Sequence, residues 1–421
     1  MKFIMSRVLL ASCGLVFTLL LILFLMFHHT HAGSMHSMWS DDDIAVLRSL
    51  RFSTQDVADK NRSNELLFRE DAIELGRRLF HDTGLSGSGK VACASCHRPE
   101  DGYQDTQSIT YQLDPDAMHR APGLLGVALQ DWFFWDGRAD SLWSQALVVI
   151  ESPMEMASSR LYAVRHLCTQ YGGNFSELLQ SCRGVDLSAV PVHASPRVAD
   201  ENWRNLGAEQ RDKINKLFVV IGKSIAAFEA GLMPPISRFD LYVDALVEGN
   251  HARAATLLDE KELAGLKLFL NTQITGCINC HNGPMFSSSG FFAVATDTPG
   301  KPEHDRQRGV GILLDSEFNC LKWDEGDSGG CPKLQYIKND PAETTGAYKV
   351  PSLRNLRHAP AFMHDGSLPN LGAVIEHYRT PAIFPLRHID IRPAAMLPHQ
   401  REQLLAFLNV LGTGVSRQEP Q

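Results

Sequence analysis

The chain lacks the surplus of basic residues that nucleic-acid-binding proteins carry. Its 421 residues include 40 lysines and arginines against 48 aspartates and glutamates, a formal net charge of -8. Because contact with a phosphate backbone needs a basic surface, this class of protein is excluded. Alternating strand patterns are scarce, and a βαβ pattern is absent. The remaining composition, with 44% hydrophobic and 21% charged residues, is that of a globular protein long enough for two or three domains.

Long apolar runs are also missing, except for one near the N-terminus. Val8 to Phe27 carries no charged residue and follows Lys2 and Arg7. A run of this length can span a bilayer as a helix, and the preceding basic residues favour an N-terminus that stays in the cytoplasm. The alternative is a signal peptide cleaved near Thr30 to Ala32. Both interpretations export the rest of the chain, so residues 1–32 are predicted to be a signal peptide or a membrane anchor.

The exported part contains a similar helical pattern twice. Glu74 to Phe80 and Glu262 to Phe269 resemble each other, and each precedes a cysteine motif. Each half then ends in an apolar helix, so we expect an internal duplication and a mainly helical fold with long loops. The predicted divisions are a polar linker or loosely docked arm at residues 33–70, a first domain at 71–235 and a second domain at 236–421.

Four of the nine cysteines form two Cys-x-x-Cys-His motifs. This spacing lets two thiols reach the vinyl groups of a porphyrin while the histidine lies under the iron, and it therefore indicates c-type haem. A redox dithiol would be expected in a βαβ unit, and a zinc site needs four converging ligands, so both alternatives are disfavoured. The sequence predicts two covalently bound haems c, one held by Cys93, Cys96 and His97 and the other by Cys277, Cys280 and His281.

The other cysteines are Cys13, inside the apolar run, and two local pairs. In an oxidising compartment, Cys168 with Cys182 and Cys320 with Cys331 could close small disulfide loops. The alternative is four free thiols, which export disfavours. We therefore expect two local disulfides.

Several ordered motifs resemble those of the bacterial di-haem cytochrome c peroxidases and their relative MauG. The resemblance extends from about Leu75 to Gly412 and rests on Gly76 to Phe80, Cys93 to His97, Phe134 to Ala139, Lys349 to Asn355 and His364 to Gly366. It implies two cytochrome c-like domains, a peroxidatic first haem and an electron-transfer second haem. Trp135 matches the family tryptophan that lies between the haems, a role compatible with that of a core aromatic residue.

Two polar residues match the family's peroxide pocket. Gln145 and Glu155 stand where the family places a glutamine and an acid–base glutamate, with Val149 at the intervening family proline. Peroxide cleavage needs a group that takes a proton from one oxygen and delivers it to the other, and a partly desolvated carboxylate suits that task. The alternative for Glu155 alone is an ordinary surface carboxylate, so the catalytic role depends on the resemblance.

The second haem's other axial ligand separates the subfamilies. Typical di-haem peroxidases use a methionine fourteen residues after the histidine of the His-Asp-Gly motif, whereas MauG-like enzymes use a tyrosine. Counting from His364 reaches Tyr378, so the chain is most similar to the tyrosine-ligated, MauG-like group. A phenolate stabilises ferric and higher-valent iron. A helix-buried tyrosine and ligation by the adjacent His377 are the alternatives, and His377 is disfavoured because it points from another helix face.

Relatives of the typical kind also carry a histidine on the distal side of the first haem. Here the only histidine between His97 and Pro122 is His119, which is displaced from that site. We therefore expect an open, five-coordinate first haem and a structural His119. His119 and Arg120 stand where relatives often carry Arg-Asn. A calcium ion between the haems draws on that region in the family, so calcium is left open as a further cofactor.

The resemblance implies a di-haem peroxidase or oxidase that uses hydrogen peroxide to form a high-valent iron state. Electrons would come from a redox protein or from tryptophan or tyrosine residues of a partner protein, as in MauG. Residues 305–347 resemble an insertion that could shape the docking surface. The protein is expected in the periplasm, soluble or anchored to the inner membrane. The alternative is a di-haem electron-transfer cytochrome without peroxidase chemistry, in which both irons are six-coordinate.

Overall fold

The computed structural model describes residues 38–106, 119–189, 196–296, 305–323, 330–381 and 388–412. The predicted signal peptide or membrane anchor lies outside these ranges. Within them, no helix combines the length and apolar character needed to cross a membrane. The predicted mainly helical architecture with long connections is confirmed.

Helices and short helical turns make up most of the ordered structure. The α-helices before the middle of the chain are α1 (Asp41–Leu50), α2 (Val57–Lys60), α3 (Glu70–Phe80), α4 (Cys93–Cys96), α5 (Leu142–Glu151), α6 (Arg160–Tyr171), α7 (Pro196–Asn205) and α8 (Ala208–Glu229). Those that follow are α9 (Arg238–Val247), α10 (His251–Leu257), α11 (Glu260–Leu270), α12 (Cys277–Cys280), α13 (Arg306–Asp315), α14 (Pro332–Gln335), α15 (Pro341–Thr344), α16 (Leu371–Arg379) and α17 (Pro398–Val410).

Each half is built on one close helix crossing. In α3 the buried residues recur at helical spacing and pack against α8, and in α11 they pack against α17. A glycine lies at each crossing: a Cβ atom would come within 1.8 Å of the Ser224 carbonyl oxygen at Gly76, and within 2.0 Å of the Gln403 carbonyl oxygen at Gly265. In each half, a glycine therefore lets the backbones of two helices come into contact.

Residues 38–70, the described part of the predicted linker or loosely docked arm, are packed against both halves. Ser40 caps α1 and its side chain accepts a hydrogen bond from the backbone of Asp43, while Leu47 and Leu50 are fully buried in the core of the second half. Further along, Phe52, Val57 and Leu67 join the core of the first half. The arm thus contacts both cores: Leu47 and Leu50 lie on one face of α1, whereas Phe52 and Leu67 are buried outside the helices.

Polar contacts hold the arm as well. The indole nitrogen of Trp39 donates to the Tyr242 hydroxyl at 2.7 Å, and the Arg354 guanidinium donates to the Leu50 carbonyl at 3.0 Å. Arg354 also forms a fully buried ion pair with Asp240, at 2.9 Å. The arm is therefore tied to the Lys349 to Asn355 motif.

One small antiparallel sheet of the second half lies against the first half. Strand β1 (Phe291–Ala293) pairs with β2 (Ala347–Lys349), with Phe291 opposite Lys349. At the end of β2 the backbone nitrogen of Lys349 donates to the Trp135 carbonyl at 2.7 Å. The Arg306 guanidinium, on α13, donates to the carbonyl oxygens of Asp136 and Gly137. The 305–347 segment is therefore anchored against the tryptophan loop of the first half.

Both predicted disulfides are present, between Cys168 and Cys182 and between Cys320 and Cys331. The other four cysteines in the described part of the chain, those of the two motifs, form no disulfide. Local pairing therefore leaves two thiols for each predicted haem, as the sequence requires.

Candidate di-haem active site

The first motif opens onto a cleft of about 1000 Å³. Helix α4 carries Cys93 and Cys96, and His97 follows it. The same cleft is lined by the other residues predicted to serve the first haem, namely Trp135, Gln145 and Glu155, together with Val149. Two thiols and an imidazole that border one cleft are the groups that attach a haem c, so this lining fits a covalently bound haem.

The histidines of the two motifs are prepared to act as neutral ligands. His281 Nδ1 faces the Phe286 carbonyl oxygen at 2.9 Å, so Nδ1 carries the proton and Nε2 keeps its lone pair for a metal. Burial lowers the pKa of His97 to about 4 and also lowers that of His281. Both rings are therefore uncharged at neutral pH, which is the form that binds iron.

The tryptophan loop and the His-Asp-Gly loop have the same local geometry. Each is closed by an isolated antiparallel bridge, Phe133 with Ala139 in one and Phe362 with Leu368 in the other. The residue after each phenylalanine has a positive φ, 66° at Phe134 and 68° at Met363. Trp135 and His364 therefore occupy the same position, two residues after the phenylalanine.

This correspondence pairs two residues further along the chain. Val149 lies fourteen residues after Trp135, and Tyr378 lies fourteen residues after His364. Both lie on the helix that follows the loop, α5 in the first half and α16 in the second. The first half therefore has an aliphatic side chain where the second half has a phenol.

Glu155 enters the first cleft from a turn beyond α5. Its backbone nitrogen donates to the Ser152 carbonyl, and its carboxylate lies 4.0 Å from the Arg138 guanidinium. Burial raises the pKa of Glu155, and Arg138 counteracts this rise in part. The carboxylate is thus more easily protonated than a surface glutamate, as an acid–base group must be.

Tyr378 lies beside the second motif. Burial raises its pKa strongly, and the nearby Cys277 and Cys280 raise it further, which places the phenol close to both thiols. The neighbouring His377 points elsewhere, because its Nε2 is 2.6 Å from the Val294 carbonyl oxygen. The phenol therefore fits a haem at this motif better than the imidazole of His377 does.

His119 lies between the halves. Its ring meets those of Tyr348 and His364 edge-on, at 5.7 and 5.3 Å, and the latter two are stacked at 3.7 Å. It also lines the first cleft. These ring contacts agree with the structural role expected from sequence.

A second cavity, of about 620 Å³, adjoins the first. Trp135, Arg120, Gln130 and Lys349 border both cavities. Among the described residues its lining includes Arg120, Lys349 and Arg354 but no carboxylate. Calcium binds carboxylate, amide and main-chain oxygens, and calcium between the haems stays a prediction.

Trp135 is the centre of the wall between the cavities. It is 5% exposed, and its indole nitrogen donates to the Arg120 carbonyl at 2.9 Å. The Arg120 backbone nitrogen in turn donates to the His364 carbonyl at 2.9 Å. Sequence reasoning identified Trp135 but not Lys349 or Arg138, although both belong to the motifs that carry the family resemblance.

These sites define a c-type cytochrome with two haem-binding halves, and comparison with known proteins gives its family. The model of the di-haem cytochrome c peroxidase family matches residues 70–247. MauG of Methylorubrum extorquens is 29% identical over 376 residues, covering 88% of this chain and 86% of the relative. The cytochrome c551 peroxidase of Nitrosomonas europaea is 28% identical over 308 residues, covering 73% and 72%.

Solved structures give the same fold. The di-haem peroxidase BthA of Burkholderia thailandensis aligns with a TM-score of 0.56 at 22% identity, covering 81% of this chain and 86% of that one. A MauG-like protein associated with microbial copper homeostasis gives 0.51 at 22% identity, covering 83% and 91%. The family model and the curated relatives support the di-haem cytochrome c peroxidase and MauG superfamily for this chain. The relatives named as cytochrome c peroxidases bear out the prediction of an oxidoreductase that acts on peroxide.

Proposed function

We propose that this protein is a MauG-like di-haem peroxidase, with a peroxide-reactive haem at Cys93, Cys96 and His97 and an electron-transfer haem at Cys277, Cys280 and His281. The observation that carries the proposal is the difference between Val149 and Tyr378 at corresponding positions. An aliphatic side chain leaves one face of the first iron open, whereas a phenol closes the second.

Glu155 handles protons in this proposal. When bound, the haem supplies the iron that peroxide oxidises. Glu155 would accept a proton from one peroxide oxygen and deliver it to the other, which would leave as water. Its position in the cleft and its raised pKa suit both steps. Gln145, on the same cleft wall, orients the peroxide by hydrogen bonding.

Tyr378 acts as an anionic ligand. Burial holds its pKa well above the usual range, so the phenol is protonated in the haem-free protein. Binding to iron requires loss of this proton, which links occupation of the second site to proton release. A phenolate there favours oxidised iron and suits a site that shares oxidising equivalents with the first.

Trp135 carries electrons between the two sites. It lies in the wall between the cavities, and its indole N–H donates to a main-chain carbonyl, which is too weak a base to take the proton. The indole therefore keeps its proton during transfer. Electrons reach the protein from a redox protein or from tryptophan or tyrosine residues of a protein substrate, with the 305–347 segment as the docking surface.

The arrangement of the chain completes the proposal. Residues 71–235 and 236–421 would be two domains produced by duplication, each with one haem, and residues 1–32 would direct export. The repeated glycine crossings and loops support duplication. The working compartment would be the periplasm, with the protein free or anchored to the inner membrane.

The electronic spectrum of the purified ferric protein tests this function. A mixture of high-spin and low-spin haem that responds to hydrogen peroxide is expected, and Tyr378→Met should convert the second haem to a methionine-type spectrum while the first remains unchanged. Two low-spin haems that ignore peroxide would instead support a simple electron carrier. An unchanged spectrum in Tyr378→Met would show that the ligand is misassigned.

A further inference from the structure

Lys349 is a buried cation in the wall between the two cavities. It is 6% exposed, and its side chain borders both of them. Its backbone is fixed by β2 and by the hydrogen bond from its nitrogen to the Trp135 carbonyl. The ammonium group is thus held at a defined place beside the tryptophan.

This ammonium has a neutral partner. Nζ donates to the Gln130 side-chain oxygen, and no carboxylate of the described residues lies within ion-pair distance. Asp131 favours the charged form only from farther away, and burial lowers the pKa of Lys349 to about 8. A buried charge is costly unless an opposite charge accompanies it.

Two other buried cations have the carboxylate partner that Lys349 lacks. Lys223, 1% exposed, forms an ion pair with Glu65, and Arg354 forms a bidentate pair with Asp240. Arg306, 4% exposed, is bonded to two main-chain carbonyl oxygens and does not border the first cleft. Lys349 is thus a buried cation that borders the first cleft and has a neutral side-chain partner.

We propose that Lys349 is an anion-binding site that receives a carboxylate, namely a propionate of the haem attached at Cys93 and Cys96. The inference rests on the proposed first haem site. Haem propionates are the charged part of the porphyrin edge and lie opposite the vinyl groups that bond the cysteines. Lys349 borders the same cleft as the two cysteines, and in this account its ammonium lies at that opposite edge.

This contact has two consequences. Because the backbone nitrogen of Lys349 is hydrogen-bonded to the Trp135 carbonyl, Lys349 positions the haem edge relative to the indole. Its positive charge also compensates the propionate and favours the reduced, less positive iron. Lys349 is a positioning residue in this account and takes no part in peroxide cleavage.

The test uses the haem-loaded full chain and its Lys349→Met, Lys349→Arg and Lys216→Met variants. Lys216 is an exposed lysine on α8, outside the proposed sites, and serves as the matched control. Spectroelectrochemical titration should show a fall in the midpoint potential of the first haem in Lys349→Met, with the second haem unchanged. Lys349→Arg should retain the wild-type potential, as should Lys216→Met. The propionate bending mode in the resonance Raman spectrum should shift in Lys349→Met alone.

Several outcomes would overturn the inference. One is a Lys349→Met protein that folds and carries two haems by mass spectrometry, but whose first-haem potential and propionate mode are those of the wild type. Another is a first-haem potential that changes with added chloride or phosphate in the wild type but not in Lys349→Met. That result would show that Lys349 binds a free anion. If Lys349→Met does not fold, Lys349→Gln takes its place under the same criteria. Peroxide reactivity of the wild type is read separately, so failure of the proposed function is distinguishable from failure of this contact.

Discussion

The two haem-binding halves differ most where they are otherwise most alike. Both have a glycine at the helix crossing, a bridged loop with a positive φ, and a helix that follows this loop. On that helix the first half carries Val149 and the second carries Tyr378. Under the proposed ligation, this one difference in side chain would leave the first iron open and close the second.

The two halves also differ in the acid–base side chains near the cysteine motifs. The first cleft contains Glu155, with its raised pKa and nearby Arg138, and Gln145 one helical turn before Val149. At the second motif the neighbouring phenol is a potential ligand, and His377 is engaged by a backbone carbonyl. Chemistry and electron transfer are thus expected in different halves.

The largest effect is expected when the tyrosine of the second half is placed at the corresponding position of the first half. Val149→Tyr should place a phenol on the open face of the first haem and abolish its reaction with hydrogen peroxide, with loss of the high-spin ferric bands. Stopped-flow and electronic spectra measure both. Val149→Phe fills similar space without a donor and should keep the high-spin bands. A Val149→Tyr protein that still reacts normally would mean that the two positions do not correspond.

Removal of the carboxylate tests the acid–base difference. Glu155→Gln should slow the reaction with peroxide by about 100- to 10,000-fold, the usual contribution of a general acid–base group. Glu100→Gln, at an exposed position, is the control and should react like the wild type.

The same carboxylate gives a pH dependence with a definite sign. Because the pKa of Glu155 is raised, its carboxylate becomes protonated at a higher pH than an ordinary glutamate does. The peroxide reaction rate should therefore decline as pH falls through that raised pKa, in a profile measured on the haem-loaded protein. Glu155→Gln should lose this limb of the profile, and a limb that persists would assign it to another group.

The smallest expected effect concerns the glycine at the helix crossing, which both halves share. Gly76→Ala and Gly265→Ala would each force a methyl group against a backbone carbonyl and should each lower the free energy of unfolding by about 1–3 kcal/mol. Gly311→Ala, in α13 with open space around it, should instead be neutral or gain up to about 1 kcal/mol. Denaturant unfolding of the haem-loaded protein measures all three. A loss at only one crossing would show that the helix packing is not equivalent.

Covalent chemistry made much of this site predictable from sequence. The Cys-x-x-Cys-His motifs and the local cysteine pairs depend on short spacings that can be read directly, and the structure has both disulfides. Glu155 and Tyr378 were located by their distances from family motifs, and the structure brings each to the expected cleft or motif. Their roles stay predictions.

Other features depend on long-range packing and could not be read in this way. The arm is rich in polar residues, and burial of Leu47 and Leu50 follows only from the position of α9 and α17. Lys349 looks like an ordinary charged residue at a strand end, because burial of a lysine is a property of tertiary structure. The importance of Val149 also emerged only from comparison of the two loops.

The docked arm has a consequence for how the protein is made. Trp39 contacts Tyr242 across 203 residues, and Leu50 contacts Arg354 across 304. As the chain emerges N-terminus first, the arm is synthesised long before its partners and must wait for them. Such long-range closure slows folding, so the arm should dock late, after most of the chain has emerged. Attachment of porphyrin to the earlier cysteine pair can then take place while the molecule is still open.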